Sequence, residues 1–297
     1  MIFINYYREI KEELVNNEIT KRVKDYSKNR SDLNTYYNVG KLLSEAGKHY
    51  GEGIIKEYSK RLTNELGKGY TQTNLKYMRK FYYLFKKSHS LSDQLTWTHY
   101  REMLSIKDTN EINYYIRITE QQNLSVRELR ERIKNKEYER LDDKTKEKLI
   151  KKEEEKVNDF VKNPILIKNS YDYKEISEKV LQKLILEDIS SFMKELGDGF
   201  SFIDNEYKIK IGNRYNYIDL LLYNINYNCY VVVELKVTEL KKEHIGQIET
   251  YMNYIDKNIK RIEQDKTIGI IICKKDNHFI MEYCSDERIF TRMYKLV

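Results

Sequence analysis

Proline occurs once in this chain of 297 residues, at Pro164, and alanine is scarce. Lysine, asparagine, isoleucine and tyrosine are frequent instead, the residues that an AT-rich genome favours. The twenty-seven tyrosines therefore need not record base stacking. Cysteine is rare. Cys229, Cys273 and Cys284 are isolated, have no metal-site spacing, and suit a reducing cytoplasm. The five histidines, His49, His89, His99, His244 and His278, form no ligand pair at helical or loop spacing, which argues against zinc. No apolar run approaches the length of a membrane span, so no membrane partner is expected. The first residues, MIFINYYREIKEEL, lack the basic region and small-residue cleavage site of a signal peptide. Phosphate-loop and dinucleotide glycine patterns are missing, which excludes a nucleotide-driven engine of those kinds. No internal repeat is evident.

The chain carries a net charge of +7, compatible with a nucleic-acid partner. Its N-terminal half reads as helical. In KEYSKRLTNELGKGYTQTNLKYMRKFYYLFKK one helix stops at Gly67 and another starts after Thr71, a candidate N-cap. A short glycine-containing turn between helices is the plan of a helix-turn-helix. Gln72, Thr73 and Asn74 open the second helix, and Lys76, Arg79 and Lys80 follow. This pattern suits base edges and phosphates of DNA. A generic helical hairpin with a solvated basic face is the alternative. Ser125 and Glu128 form a capping box, and Trp97 and Tyr100 read as core anchors. The mixed-charge stretch 142–156 reads as a solvated helix or a connector, and Asn163 before Pro164 leaves the helical region.

The densest chemistry lies in YNYIDLLLYNINYNCYVVVELKV. Two apolar runs flank Asn226-Tyr227-Asn228 and read as paired strands. The midpoint between Asp219 and Glu234 falls inside that turn, so a hairpin sets the two carboxylates opposite each other, their Cβ atoms about 5 Å apart. Lys236 leaves the same face as Glu234. Leu220, Leu222, Val231, Val233 and Leu235 occupy the other face and fill a core. Two close carboxylates repel unless a cation or proton lies between them. Two carboxylates are a usual protein share for Mg²⁺, and a lysine beside them suits phosphodiester hydrolysis. An ordinary charged strand pair is the alternative.

Upstream, YKEISEKVLQKLILEDISSFMKELG reads as a helix of about six turns ended by Gly197, with Glu187 at the edge of its apolar stripe as a possible third carboxylate. Downstream, KKEHIGQIETYMNYIDKNI is an amphipathic helix on which Gln247 shares a face with His244, Ile248, Tyr251 and Tyr254. Gln247 can bond a water or a phosphate oxygen there. TIGIIICKK then reads as a buried strand. The order helix, strand, hairpin, helix, strand gives a mixed α/β sheet with helices against it.

Several of these words resemble the YhcG-like family of the PD-(D/E)XK nuclease superfamily. They are LILEDISSFMKELGDGFSFI, YIDLLLYN, CYVVVELKV, HIGQIETYMNYID and IGIIICKKDN, with YYNVGKLL, LTNELGKGYTQTNLKYMRKFY, LTWTHYREML and EQQNLSVRELRERI in the N-terminal half. The resemblance runs from about residue 10 to the end. It implies a restriction-endonuclease-like α/β C-terminal domain beside an all-α N-terminal domain, a divalent metal (Mg²⁺ or Mn²⁺) and DNA phosphodiester hydrolysis. Carried over, Asp219 and Glu234 are metal ligands, Lys236 is the catalytic lysine, Glu187 matches the helix acid and Gln247 the family glutamine. Two departures stand out. Ile218 replaces the proline of the superfamily name, and Val237-Thr238-Glu239 replaces a smaller, more basic stretch.

The expectation is therefore a helical DNA-binding or dimerising domain over 1–141, a charged connector over 142–163 and a nuclease domain over 164–297. A Mg²⁺-dependent deoxyribonuclease acting on double-stranded or branched DNA is expected, as a homodimer or with partner subunits in restriction, repair or mobile-element defence. A catalytically silent DNA-binding protein, a subunit of a defence complex and an RNA nuclease are the rival readings.

Overall fold

The structure is a computed structural model that describes residues 6–22, 28–86, 91–92, 94–151, 153 and 156–297. His89, the first five residues, and 152, 154 and 155 of the charged stretch lie outside the described residues. The chain divides into two compact units, Met1–Tyr138 and Glu139–Val297.

The N-terminal unit is helical: α1 (Tyr6–Arg22), α2 (Lys28–Tyr50), α3 (Ile54–Leu66), α4 (Gln72–Phe85), α5 (Trp97–Met103), α6 (Thr109–Gln122) and α7 (Val126–Lys134). Side chains start these helices as the sequence suggests. The Thr71 hydroxyl accepts the Asn74 N–H at 3.3 Å and opens α4. Ser125 and Glu128 cap α7 reciprocally. Leu75, Met78, Phe81 and Phe85 form the buried stripe of α4. Tyr100 is wholly buried, and Trp97 packs between Tyr36 and Phe81. Where α2 meets α4 the backbones touch. A Cβ on Gly40 would lie 2.1 Å from the Met78 carbonyl oxygen.

The C-terminal unit is α/β. In chain order it contains α8 (Asp143–Lys151), α9 (Val157–Phe160), β1 (Ile165–Ile167), α10 (Glu178–Glu187), α11 (Ile189–Leu196), β2 (Phe200–Ile211), β3 (Arg214–Asn224), β4 (Cys229–Glu239), α12 (Lys242–Asn258), β5 (Asp265–Lys275), α13 (His278–Glu282) and β6 (Ile289–Leu296). The strands form one mixed sheet in the order β1-β6-β5-β4-β3-β2. β2, β3 and β4 are antiparallel neighbours, whereas β4, β5, β6 and β1 run parallel. Alternate residues of the central strands enter two cores. Leu220, Leu222, Val231, Val233, Leu235, Ile270 and Ile272 meet α10 and α11 on one face. Leu221, Val232, Ile271 and Cys273 meet α12 on the other. A strand covered on both faces needs a continuous apolar run, which β4 and β5 have.

The six-turn helix expected upstream is two helices. Ser177 caps α10, and Asp188 ends it at φ −133°, ψ 54° while its carboxylate caps α11 at Ser191. Residues on either side of the charged stretch pack with the sheet and its helices. Arg140 is paired with Glu195, Val157 and Val161 join the core, and Arg292 donates to the carbonyls of Asn158 and Val161. The division between units therefore falls upstream of Pro164.

The contact at Gly40 yields a test. Gly40→Ala should destabilise the N-terminal unit by about 2–3 kcal/mol, because the clash is with backbone rather than with a flexible side chain. The lone tryptophan, Trp97, lies in this unit, so its fluorescence in a urea titration reports the loss directly. An unchanged midpoint would contradict the close crossing.

Candidate active site at the β3–β4 fork

The β3–β4 ladder runs from Asn224 opposite Cys229 to Leu220 opposite Val233 and ends there. The next residues in that register are Asp219 and Glu234. At the ends of the turn between the strands, the Asn224 side chain accepts the N–H groups of Asn226 and Tyr227, and Asn228 takes φ 47°. The register is thus set by the turn and by the apolar residues on either face.

Beyond Leu220 the strands part, and Asp219 bridges the gap with its side chain. Its Oδ2 accepts the Leu235 N–H at 2.7 Å, and its main-chain carbonyl accepts from Gln182 Nε2 of α10 at 2.9 Å. Lys236 Nζ donates to Glu234 Oε1 at 2.8 Å, and Gln247 Nε2 of α12 donates to the same oxygen at 2.7 Å. Gln247 Nε2 also lies 3.2 Å from the Tyr251 hydroxyl. Glu178, in the first turn of α10, brings Oε2 to 3.6 Å from the Lys236 ammonium. Glu234 is only 2% exposed, and its second oxygen, Oε2, is buried without a hydrogen-bond partner.

The electrostatics follow from this crowding. Burial, and then the neighbouring Asp219 charge, push the Glu234 carboxyl up to about 7. Burial also raises Asp219, against the opposing effect of the Leu235 N–H. Burial alone would lower Lys236, but Glu234, with Glu178 and Asp219 behind it, more than offsets that and holds the ammonium above its ordinary range. A buried oxygen with no donor, beside a second carboxylate, fits a hard cation. Among the described residues no group of three or more His, Cys, Asp or Glu could hold a metal ion. A cation at the fork would therefore meet two close carboxylates of the chain, Asp219 and Glu234.

Asp219, Glu234, Lys236 and Gln247 are thus brought together, and Glu187 is not. It ends α10, accepts from the Tyr171 hydroxyl at 3.1 Å and lies 3.8 Å from Lys183. Glu178 is about 13 Å away along the helix axis, and that end of α10 abuts the fork. Helical angle locates a residue around the axis but says nothing of its height against the sheet. Glu178 and Gln182 were both missed. Their i, i+4 spacing on a helix with otherwise apolar core positions was the available signal.

The six α4 residues separate in a similar way. Thr73, Lys76 and Lys80 are exposed. Arg79 is engaged by both oxygens of Glu52, at 2.8 and 2.7 Å, and Asn74 Nδ2 holds the Gly69 carbonyl at 2.9 Å. Gln72, at the start of the helix, is half-buried.

Residues 158–296 match the family described as the YhcG PDDEXK nuclease domain, and residues 9–140 match the DUF1016 N-terminal domain. "Putative nuclease YhcG" of Escherichia coli (strain K12) is 24% identical, over 80% of this chain and 76% of its own length. Among solved structures, a repair endonuclease from Pyrococcus abyssi shows 20% identity and a TM-score of 0.29. An EndoMS–dsDNA complex shows 18% and 0.29. Each alignment spans 43% of this chain and 49% of the other, so the chain spans about half the length of those structures. The nuclease-domain match, on a mixed sheet flanked by helices, makes this a hydrolytic nuclease of restriction-endonuclease-like fold. Within that class the chain belongs to the YhcG-like family of PD-(D/E)XK nucleases. No helix among the described residues is long and apolar enough to cross a membrane.

The Glu234 carboxyl yields a second test. Its folded value of about 7 lies above its ordinary 4.5, so the proton it retains stabilises the fold below 4.5, and that contribution is lost as pH rises through about 7. In chelator, the calorimetric melting temperature should fall between about pH 5 and about pH 8. Glu234→Gln should flatten that fall and melt several degrees higher at the alkaline end. An unchanged slope in the variant would contradict the assignment.

Proposed function

We propose that this chain is a divalent-metal-dependent DNA endonuclease that hydrolyses phosphodiester bonds. The observation that carries the reading is the unpartnered, buried Glu234 Oε2 beside Asp219 at the opening of the hairpin. Asp219 and Glu234 would hold Mg²⁺ or Mn²⁺. When bound, such an ion supplies Lewis acidity to the phosphodiester and to a water.

The chain's own groups perform the remaining work. Lys236 keeps its proton because Glu234 holds it, so it offers positive charge to the phosphate as negative charge develops. Gln247 fixes the Glu234 rotamer from α12, and Gln182 fixes the Asp219 backbone from α10. Both are neutral amides, which satisfy acceptors without cancelling the charge that draws a cation. Glu178 gives the ammonium a second, more exposed carboxylate. In the N-terminal unit, Thr73, Lys76 and Lys80 are the ones among the six candidate α4 residues left exposed for DNA. Cutting both strands of a duplex needs two such sites, so the reading includes a homodimer or partner subunits.

Incubation with duplex, branched and single-stranded DNA, and with RNA, in Mg²⁺ or Mn²⁺ tests this directly. Asp219→Asn and Lys236→Ala should each lower cleavage by about a hundredfold or more, while duplex affinity stays near that of the parent. Cleavage by a twice-purified Asp219→Asn protein at the parental rate would sink the assignment. Preferential cleavage of RNA would move the substrate class.

A further inference from the structure

β2 and β3 stay paired after β4 has left them. The β3–β4 ladder ends at Leu220, but β2 and β3 continue in register from Tyr207 opposite Ile218 to Ile211 opposite Arg214. Residues 207–218 thus form a two-stranded ribbon that runs on past the fork. Gly212 and Asn213 close it, with Gly212 at φ 60°, as a two-residue hairpin turn requires.

One side of the ribbon is anchored. Ile209 and Ile218, 1% and 0% exposed, belong to the core built on Ile248 and Tyr251 of α12. The other side is open and basic. Lys208 lies opposite Tyr217, and Lys210 opposite Tyr215. The two tyrosines are 52% and 55% exposed. Lys208 Nζ sits 4.0 Å from the centroid of the Tyr215 ring, and Lys210 Nζ sits 5.8 Å from it. Arg214, opposite Ile211, leaves the alternate side and is exposed beside the turn at the ribbon's tip; the whole sequence YKIKIGNRYNYI holds these three cations and no acidic residue. Several arginines elsewhere are matched by carboxylates: Arg79 by Glu52, Arg132 by Glu137, Arg288 by Asp256 and Asp286. Lys208, Lys210 and Arg214 have no carboxylate partner among the described residues.

The position of the ribbon decides its partner. It springs from Asp219 itself. Tyr217 is two residues away, and Arg214 five, about 17 Å along an extended strand. A duplex presents phosphates every ~3.4 Å of rise on each strand. A duplex whose scissile phosphate sits at Asp219 and Glu234 therefore has flanking phosphates within reach of the ribbon. Two-stranded ribbons of this width also fit the major groove.

Resting on the nucleic-acid reading above, we propose that residues 207–218 form a duplex-DNA clamp. Lys208, Lys210 and Arg214 neutralise phosphates beside the bond to be cut, and the Tyr215 and Tyr217 hydroxyls donate to the same backbone. The ribbon gives affinity rather than base preference, because its contacts are to phosphate.

The test uses the full chain with Lys236→Ala to stop cleavage. Lys208→Gln, Lys210→Gln and Arg214→Gln are added together, and binding of a fluorescent duplex is followed by anisotropy across a salt series. Affinity should fall roughly tenfold or more at about 0.1 M salt, and the slope of log K against log salt should shrink by about 2–3, near 0.9 per lost phosphate contact. Lys208→Arg with Lys210→Arg should bind like the parent. If the triple variant melts early, Arg214→Glu at the exposed tip repeats the test without touching a core residue. Parental binding that is unchanged in affinity and slope by these substitutions overturns the clamp and leaves the nuclease reading standing. A loss confined to single strands or RNA overturns the choice of duplex. A parent that neither binds nor cuts DNA removes both readings.

Discussion

Two carboxylates and one ammonium, confined where a hairpin comes apart, set the terms for the rest of the C-terminal unit. Nothing local favours placing Asp219 next to Glu234; burial opposes the ionisation of both, and the Asp219 charge adds to it at Glu234. The juxtaposition is imposed by the hairpin register, and the register is imposed by hydrophobic burial. Leu220 and Val233 lie against α10 and α11, while Leu221 and Val232 lie against α12. A slip of one residue would turn both sets to the wrong faces. The apolar energy of two cores therefore maintains an electrostatic conflict at their edge.

The neighbours relieve that conflict only in part. Ionised, Asp219, Glu234 and Lys236 together carry a net negative charge, and Glu178 beside the ammonium adds to it. Gln182 and Gln247 approach from opposite faces of the sheet and supply hydrogen bonds without supplying charge. Replacing either by lysine would cancel one negative charge and weaken the fork's attraction for a cation. Glu234 Oε1 has two donors and Oε2 has none. That asymmetry matters because a fully satisfied carboxylate has no lone pair left for a ligand. The site is preorganised on one oxygen and left open on the other.

How far such a site is legible depends on which coordinates of a residue the sequence encodes. Strand alternation and a centred turn encode who faces whom across a hairpin, so Asp219, Glu234 and Lys236 could be placed together before any coordinates. Cap chemistry encodes where helices begin, as Thr71 and Ser125 did. Height along a helix against a sheet is encoded nowhere locally. Glu187 was chosen over Glu178 on that account, and the interruption at Asp188 hid behind an unbroken apolar pattern. Pairing between distant segments is equally silent. Arg79 looks free until Glu52 meets it from an earlier turn, and β1 finds β6 across more than a hundred residues, at Ile165 and Tyr294.

The two departures from the superfamily pattern acquire a physical sense together. A proline at position 218 would lack the N–H that a paired strand can use and would bring a ring where a side chain is now fully buried. Ile218 keeps the N–H, lies opposite Tyr207 and seats its side chain in the α12 core, so β3 can continue with β2 past the fork. Past Lys236, by contrast, Glu239 accepts from Lys275 at 3.0 Å and from Asn277 at 3.2 Å, which ties that edge to the end of β5. Basic residues missing from one flank of the site are thus present on the other, on the ribbon that Ile218 permits. The apolar side chain at 218 thus does two things at once: it fills the α12 core and it lets the β2–β3 pairing carry Lys208, Lys210 and Arg214 beyond the fork.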